Sequence, residues 1–187
     1  MQITDDIILK YSGSLLEVYT VNTDSFSVGS IALYSNSEIL FRIYDELGRE
    51  VALYLVKREH INNIIANTEY LKKMDLYCEY WKGENINKST YFLEYMSNLC
   101  KDETDIISSV IDFVMKKMEC ITIQTYSSEM IDTGFISDCT DGYVTLRCID
   151  IETAKEFSTC DISISDIWFL EFCSLDNTLL SYAFNKI

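Results

Sequence analysis

Seven cysteines, one histidine and thirty carboxylates are the residues of this sequence whose chemistry goes beyond packing. The thiols of Cys78, Cys100, Cys120, Cys139, Cys148, Cys160 and Cys173 are potential metal ligands, nucleophiles or disulfide partners. Each use asks for a local companion. No two stand as a C-x-x-C pair, and His60 is the only histidine. Clustered zinc-ligand spacing is therefore missing, and the expectation is no metal. The segment Met1-Gln2-Ile3-Thr4-Asp5-Asp6 is acidic and lacks the basic region of a secretory signal. The cysteines accordingly read as small buried hydrophobes in a reducing, cytoplasmic compartment. His60 sits in the polar run Lys57-Arg58-Glu59-His60 and reads as a turn residue, since nothing local pairs it with a nucleophile. Thirty acids make paired carboxylates a matter of composition. Asp138-Cys139-Thr140-Asp141-Gly142 resembles a calcium loop only superficially. With Gly142 at the loop glycine, Ser137, Cys139 and Cys148 fall where acidic ligands belong. Glycine-rich phosphate loops and nucleophile elbows are absent from the sequence. The expectation is a protein that is not an enzyme, with no catalytic residue and no cofactor.

The elements behind these residues follow from composition and period. The chain has 187 residues, 48% of them hydrophobic and 13% aromatic, a globular composition. No stretch approaches the roughly 20 apolar residues of a membrane span. An offset of 105 residues sets Gly29 on Gly134 and carries Ile31 to Ile136, Arg42 to Arg147 and Asp45 to Asp150 without a gap. Upstream, Val18/Ile123 and Thr20/Thr125 pair at the same offset. Further on, Ile61-Asn62-Asn63-Ile64 is set on Ile164-Ser165-Asp166-Ile167. Ile39, Phe41 and Ile43 alternate with Leu40, Arg42 and Tyr44, and Val144, Leu146 and Cys148 with Thr145, Arg147 and Ile149, placing the first set of each copy on one sheet face. Asn36-Ser37 and Asp141-Gly142 mark matching hairpin turns. Glu46-Leu47-Gly48-Arg49 and Asp150-Ile151-Glu152-Thr153 mark the next pair. The reading is a duplicated β-meander.

Between the copies the period becomes helical. Tyr70, Met74, Tyr77 and Trp81 define a stripe over 69–81, which Lys82-Gly83-Glu84-Asn85 breaks. Ser89-Thr90 caps a second helix to Leu99. Asp102 or Thr104 caps a third, with Ile106, Ile107, Val110, Ile111, Val114 and Met118 on its apolar face. The expected organisation is 1–67, a first five-stranded module; 68–101, a helical connector; and 102–187, a second module with its preceding helix.

Gly134-Phe-Ile-Ser-Asp-Cys-Thr-Asp-Gly-Tyr-Val-Thr-Leu-Arg-Cys-Ile-Asp150, followed by Ile162-Ser-Ile-Ser-Asp-Ile-Trp-Phe-Leu-Glu-Phe172, resembles the two-part signature of Sm-like proteins, and generic SH3-like barrels carry similar patterns. Gly29 through Ile64 resembles it more weakly. The resemblance implies a mainly β, α+β fold: two tandem Sm-like or SH3-like five-stranded small barrels joined by a helical segment. It also implies ring assembly and single-stranded RNA as a partner. The base-contacting positions depart from the family. Asp141-Gly142-Tyr143-Val144 offers the acid but not the family's Asn, and the Arg-Gly clamp is Arg58-Glu59-His60 in one copy and Cys160-Asp161-Ile162 in the other.

The candidate contacts for a partner or for RNA are Arg58, His60, Asp141, Tyr143, Arg42 and Arg147. Arg42 and Arg147 have a plainer role open to them, a salt bridge to an acid such as Asp45 or Asp150. The net charge of −15 repels phosphate backbones and steers the chain toward basic partners. The leading expectation is a non-enzymatic protein-binding module of the immunity, antagonist or accessory kind, acting through acidic surfaces or strand edges. The alternative is a divergent tandem Sm-like protein that forms a ring and binds RNA. A monomer or dimer is the favoured assembly, with a trimeric, pseudo-hexameric ring as the other, and no membrane association is expected.

Overall fold

Alternating apolar residues bounded by Asn, Asp and Gly turns give strands, and broad apolar stripes give helices. The computed structural model describes residues 3–21, 25–82, 90–99, 105–128 and 130–187. They fall into two units, Met1–Leu93 and Glu94–Ile187.

In the first unit a short helix α1 (Asp5–Tyr11), acidic in its first turn, precedes β1 (Leu16–Thr20), β2 (Ser27–Tyr34), β3 (Glu38–Tyr44) and β4 (Glu50–Lys57). A single 3-10 turn, Arg58–His60, leads to β5 (Ile61–Ala66), and then to helix α2 (Glu69–Lys82). Helix α3 (Thr90–Leu99) spans the boundary between the units. The second unit continues with α4 (Ile106–Lys117), β6 (Ile121–Thr125), β7 (Ile131–Thr140), β8 (Tyr143–Asp150) and β9 (Lys155–Ser163). Another 3-10 turn, Ile164–Asp166, leads to β10 (Ile167–Phe172), and α5 (Leu175–Phe184) follows. The expected helix break at 82–85 starts one residue early, since Lys82 is still helical; residues 83–85 and the caps at Ser89, Asp102 and Thr104 lie outside the described residues, as does Cys100. Among the described residues, no helix is long and apolar enough to cross a membrane.

The two units share one register. Gly29 stands opposite Leu16 and Ile43, and Gly134 stands opposite Ile121 and Cys148. A bulge follows Ile31 in β2 and Ile136 in β7. Thr20 meets Ile61 past a second bulge, as Thr125 meets Ile167. Phe41 and Leu146 are both fully buried; Ile136 is buried but Ile31 only half so. The offset of 105 holds as far as Asp45/Asp150 and then becomes 106. Ile61 therefore corresponds to Ile167, not to Ile164 as the sequence alignment had it. The inserted residue is in the turn that begins at Asp150. Gly48 at φ +80° closes the first turn, and Ala154 at φ +54° closes the longer one. Asp45 Oδ1 accepts from the amides of Leu47 and Arg49, and Asp150 Oδ1 accepts from the amide of Thr153.

The expectation of two closed barrels joined by a helix is corrected. The ten strands form open antiparallel sheet, in the order β5-β1-β2-β3-β4 in the first unit and β10-β6-β7-β8-β9 in the second. β4 does not pair with β5, nor β9 with β10. The 3-10 turns account for this. Each carries the chain away from the strand just completed, so that β5 pairs with β1 and β10 with β6. Closure into a barrel is one way to remove strand edges. Polar and charged edge strands are another way, and Lys155, Glu156 and Asp161 of β9 and Asn62 and Asn63 of β5 are exposed.

Helix α2 buries Leu71, Met74 and Cys78, with Leu71 and Met74 packed on Val28 beside Leu15, Tyr44 and Tyr70. The expected face through Tyr77 and Trp81 is rotated. Those rings lie at the rim, and Trp81 Nε1 donates to the Leu47 carbonyl at 2.8 Å. A Cβ on Gly48 would come within 2.5 Å of Tyr77 Cβ, so this turn and helix require glycine at their closest approach. Helix α4 buries Ile106, Ile107, Val110, Ile111, Phe113 and Val114 and lies against β7. Met118, expected on that face, is instead the left-handed cap and is 80% exposed.

Candidate functional site

The candidate contacts do not converge on one site. Arg42 and Arg147 occupy equivalent places on β3 and β8, and each faces an acid on the next strand. Arg42 Nε lies 4.0 Å from Glu50, and Arg147 Nη2 lies 2.6 Å from Glu156. Glu50 and Glu156 are themselves equivalent, so the ion pair repeats with the fold. The expected acids are otherwise engaged: Asp45 binds Arg49 at 2.6 Å, and Asp150 closes its own turn. The Arg147 bond holds the Glu156 carboxyl below its ordinary range.

Arg58 is a structural cation of the first unit. Its guanidinium pairs with Asp5 at 2.7 Å and donates to the carbonyls of Ile3 (3.4 Å) and Ser35. These bonds tie α1 to the β2–β3 turn. His60, at the end of the same 3-10 turn, is half-buried. Burial lowers its imidazole pKa against the opposing pull of Glu59, so it is neutral at physiological pH. In the second unit Ile164 and Asp166 stand at these two places. Asp141 and Gly142 take φ of +51° and +81° in the β7–β8 hairpin, the two left-handed residues that an Asp-Gly turn requires. Asp141 is exposed, and Tyr143 beside it is 53% exposed.

The larger difference lies between equivalent strands. In β4, Ala52, Leu53, Leu55 and Val56 are buried. At the same repeat positions in β9, Ser158, Thr159 and Asp161 are exposed, and only Ile162 remains buried. β9 is also the last strand in the pairing order, hydrogen-bonded to β8 alone. Phe157 projects from it at 66% exposure, and the preceding turn presents Ile151 at 73%. Glu152 of that turn and Glu156 and Asp161 of the strand are exposed acids.

A cavity of about 630 Å³ lies beside that turn, between Ile151–Ala154 and α5. Its origin is visible in the repeat. Tyr77 and Trp81 of α2 pack on the first unit's turn, and their counterparts here are Ala183 and Ile187, both lining the cavity. Its floor is a fixed polar network. Thr122 Oγ1 bonds Thr133 Oγ1 (3.0 Å) and Asn177 Oδ1 (3.1 Å), while Asn177 Nδ2 donates to the Glu171 carbonyl. Ser174 caps α5 by accepting from the Asn177 amide. Glu152, Glu171 and Asp176 line the rim. The chemistry on offer is apolar contact with carboxylate pairing.

One further cluster escaped the sequence, because its members are brought together by strand register rather than spacing. Asp132, Cys148 and Cys160 place their ligating atoms within 4.8 Å of one another. Burial and the neighbouring Cys148 push the Cys160 thiol up to about 12. Cys78 and Cys120 are buried, as expected of packing thiols, and burial raises theirs to about 11 and about 12.

Comparison with known proteins gives no match, whether to a family model, a curated protein or a solved structure.

Proposed function

We propose that the chain is a non-enzymatic binding protein that takes an extended, basic segment of a partner protein along β9. The observation that supports this reading is the unequal burial of equivalent strands, with β4 buried and β9 bare. An outer strand with backbone groups on one side unpaired adds a partner's strand through main-chain hydrogen bonds, and side chains beside it select the partner. Phe157 and Ile151 supply the apolar contact, and the exposed acids Glu152, Glu156 and Asp161 of β9 and its turn select for Lys and Arg. The net charge of −15 draws such a partner in. The chain itself is a monomer or dimer in this reading.

Cross-linking in native extract, followed by mapping of the linked residues, tests it. Links should concentrate on 151–163, survive nuclease, weaken as salt rises, and be lost in Phe157→Asp. Links distributed elsewhere and indifferent to that substitution would sink the reading. Nuclease-sensitive capture would favour the RNA alternative.

A further inference from the structure

We propose that Asp132, Cys148 and Cys160 form a binding site for one thiophilic divalent cation of the zinc class. The sheet register builds the site. Gly134 stands opposite Cys148, and Leu146 stands opposite Cys160. Asp132 is two residues from Gly134, and Cys148 is two from Leu146, so all three ligands share one face of the β7-β8-β9 sheet.

The geometry is nearer to coordination than to a disulfide. The two Sγ atoms are 3.3 Å apart, and Asp132 completes a triangle with every edge within 4.8 Å. A tetrahedral zinc ion with bonds of about 2.3 Å holds its thiolates about 3.8 Å apart, an opening of about half an ångström from what is seen. A disulfide needs closure to about 2.05 Å, more than twice that displacement. Two sulfurs and one carboxylate suit a borderline-soft ion and not calcium or magnesium. On binding, each thiol gives its proton to solvent. Cys148 is buried, whereas Asp132 and Cys160 are half-buried, so the fourth position opens toward water.

The repeat supplies an independent argument. The equivalents of Asp132, Cys148 and Cys160 in the first unit are Ser27, Ile43 and Tyr54. Ile43 is buried there, so the fold fills these places without sulfur. The ligand set belongs to the second copy alone.

Cobalt titration of the reduced, metal-free chain tests the site, with zinc then added to displace the cobalt. The expected result is one equivalent bound, with thiolate-to-cobalt charge-transfer absorption of two thiolates, abolished by zinc. Cys160→Ser, at a half-buried position, should remove that absorption, and Asp132→Asn should weaken zinc binding at least about tenfold. Circular dichroism confirms that each variant is folded, and Asp132→Asn keeps the test decisive if Cys160→Ser is not. No charge-transfer absorption would overturn the proposal. So would absorption unchanged in both variants, which would locate the metal at other cysteines. A Cys148–Cys160 disulfide re-forming in air, in a chain that takes up no cobalt, would overturn it as well.

Discussion

Arg58 was legible in the sequence as a cation in the right place for a base, but its partners were not. Asp5 and the Ile3 and Ser35 carbonyls reach it from 53, 55 and 23 residues away in the chain. Removing it leaves those carbonyls without their donor. Arg58→Ala should lower unfolding stability by about 1–3 kcal/mol in urea, with no effect on nucleic-acid retention. A stability change near zero would mean the contacts are incidental. His60 makes a pH prediction. Its folded pKa lies below the unfolded value because burial disfavours the charged ring. Its contribution is complete above a pH of about 6.5 and is lost as pH falls through the lowered folded value, where the unfolded chain binds the extra proton. Urea midpoints of His60→Gln should therefore fall less steeply than those of the parent chain between about pH 7 and pH 5.

At the scale of elements, the sequence carried the repeat well through β3 and β8 and poorly after them. Gly29/Gly134 and the alternating Ile39-Phe41-Ile43 and Val144-Leu146-Cys148 are constrained by a shared core, so similarity survives there. β9 has lost the apolar residues of β4, and the insertion after Asp150 fell where no similarity remained to reveal it. α5 went unnoticed because its capping Ser174 and buried Asn177 are polar and blur the helical stripe. The face of α2 was misplaced because Tyr and Trp satisfy a hydrophobic period while standing at the rim. The two glycines test the repeat by a difference in degree. A Cβ on Gly134 would lie 1.9 Å from the Arg147 carbonyl oxygen, whereas one on Gly29 would lie 3.1 Å from the equivalent Arg42 oxygen. Gly134→Ala should cost upward of about 3 kcal/mol, and Gly29→Ala no more than about 1 kcal/mol. Equal costs would contradict the close approach in β7. The trio Asp132, Cys148 and Cys160 shows the same limit from the side of the site, since nothing at spacings of 16 and 12 residues announces a cluster until the strands are registered.

At the scale of the molecule, charge is the property the sequence states outright, and it bears on what the chain binds. The arginines expected to meet RNA are each paired with a carboxylate. Affinity for oligo-U at physiological salt should be no better than about 0.1 mM, measured by fluorescence anisotropy. Sub-micromolar binding would restore the RNA reading. Light scattering should give a mass of one or two chains, and a stable mass near three times 21.7 kDa would favour the ring. What the charge does not choose is the surface, and that choice rests on β9. Hydrogen–deuterium exchange on the chain alone and on the complex recovered from native extract locates the partner directly. The account predicts that amides of residues 155–163 exchange faster than those of β8 in the free chain and become the most strongly protected on binding. Protection concentrated elsewhere, with exchange in β9 unchanged, would contradict it.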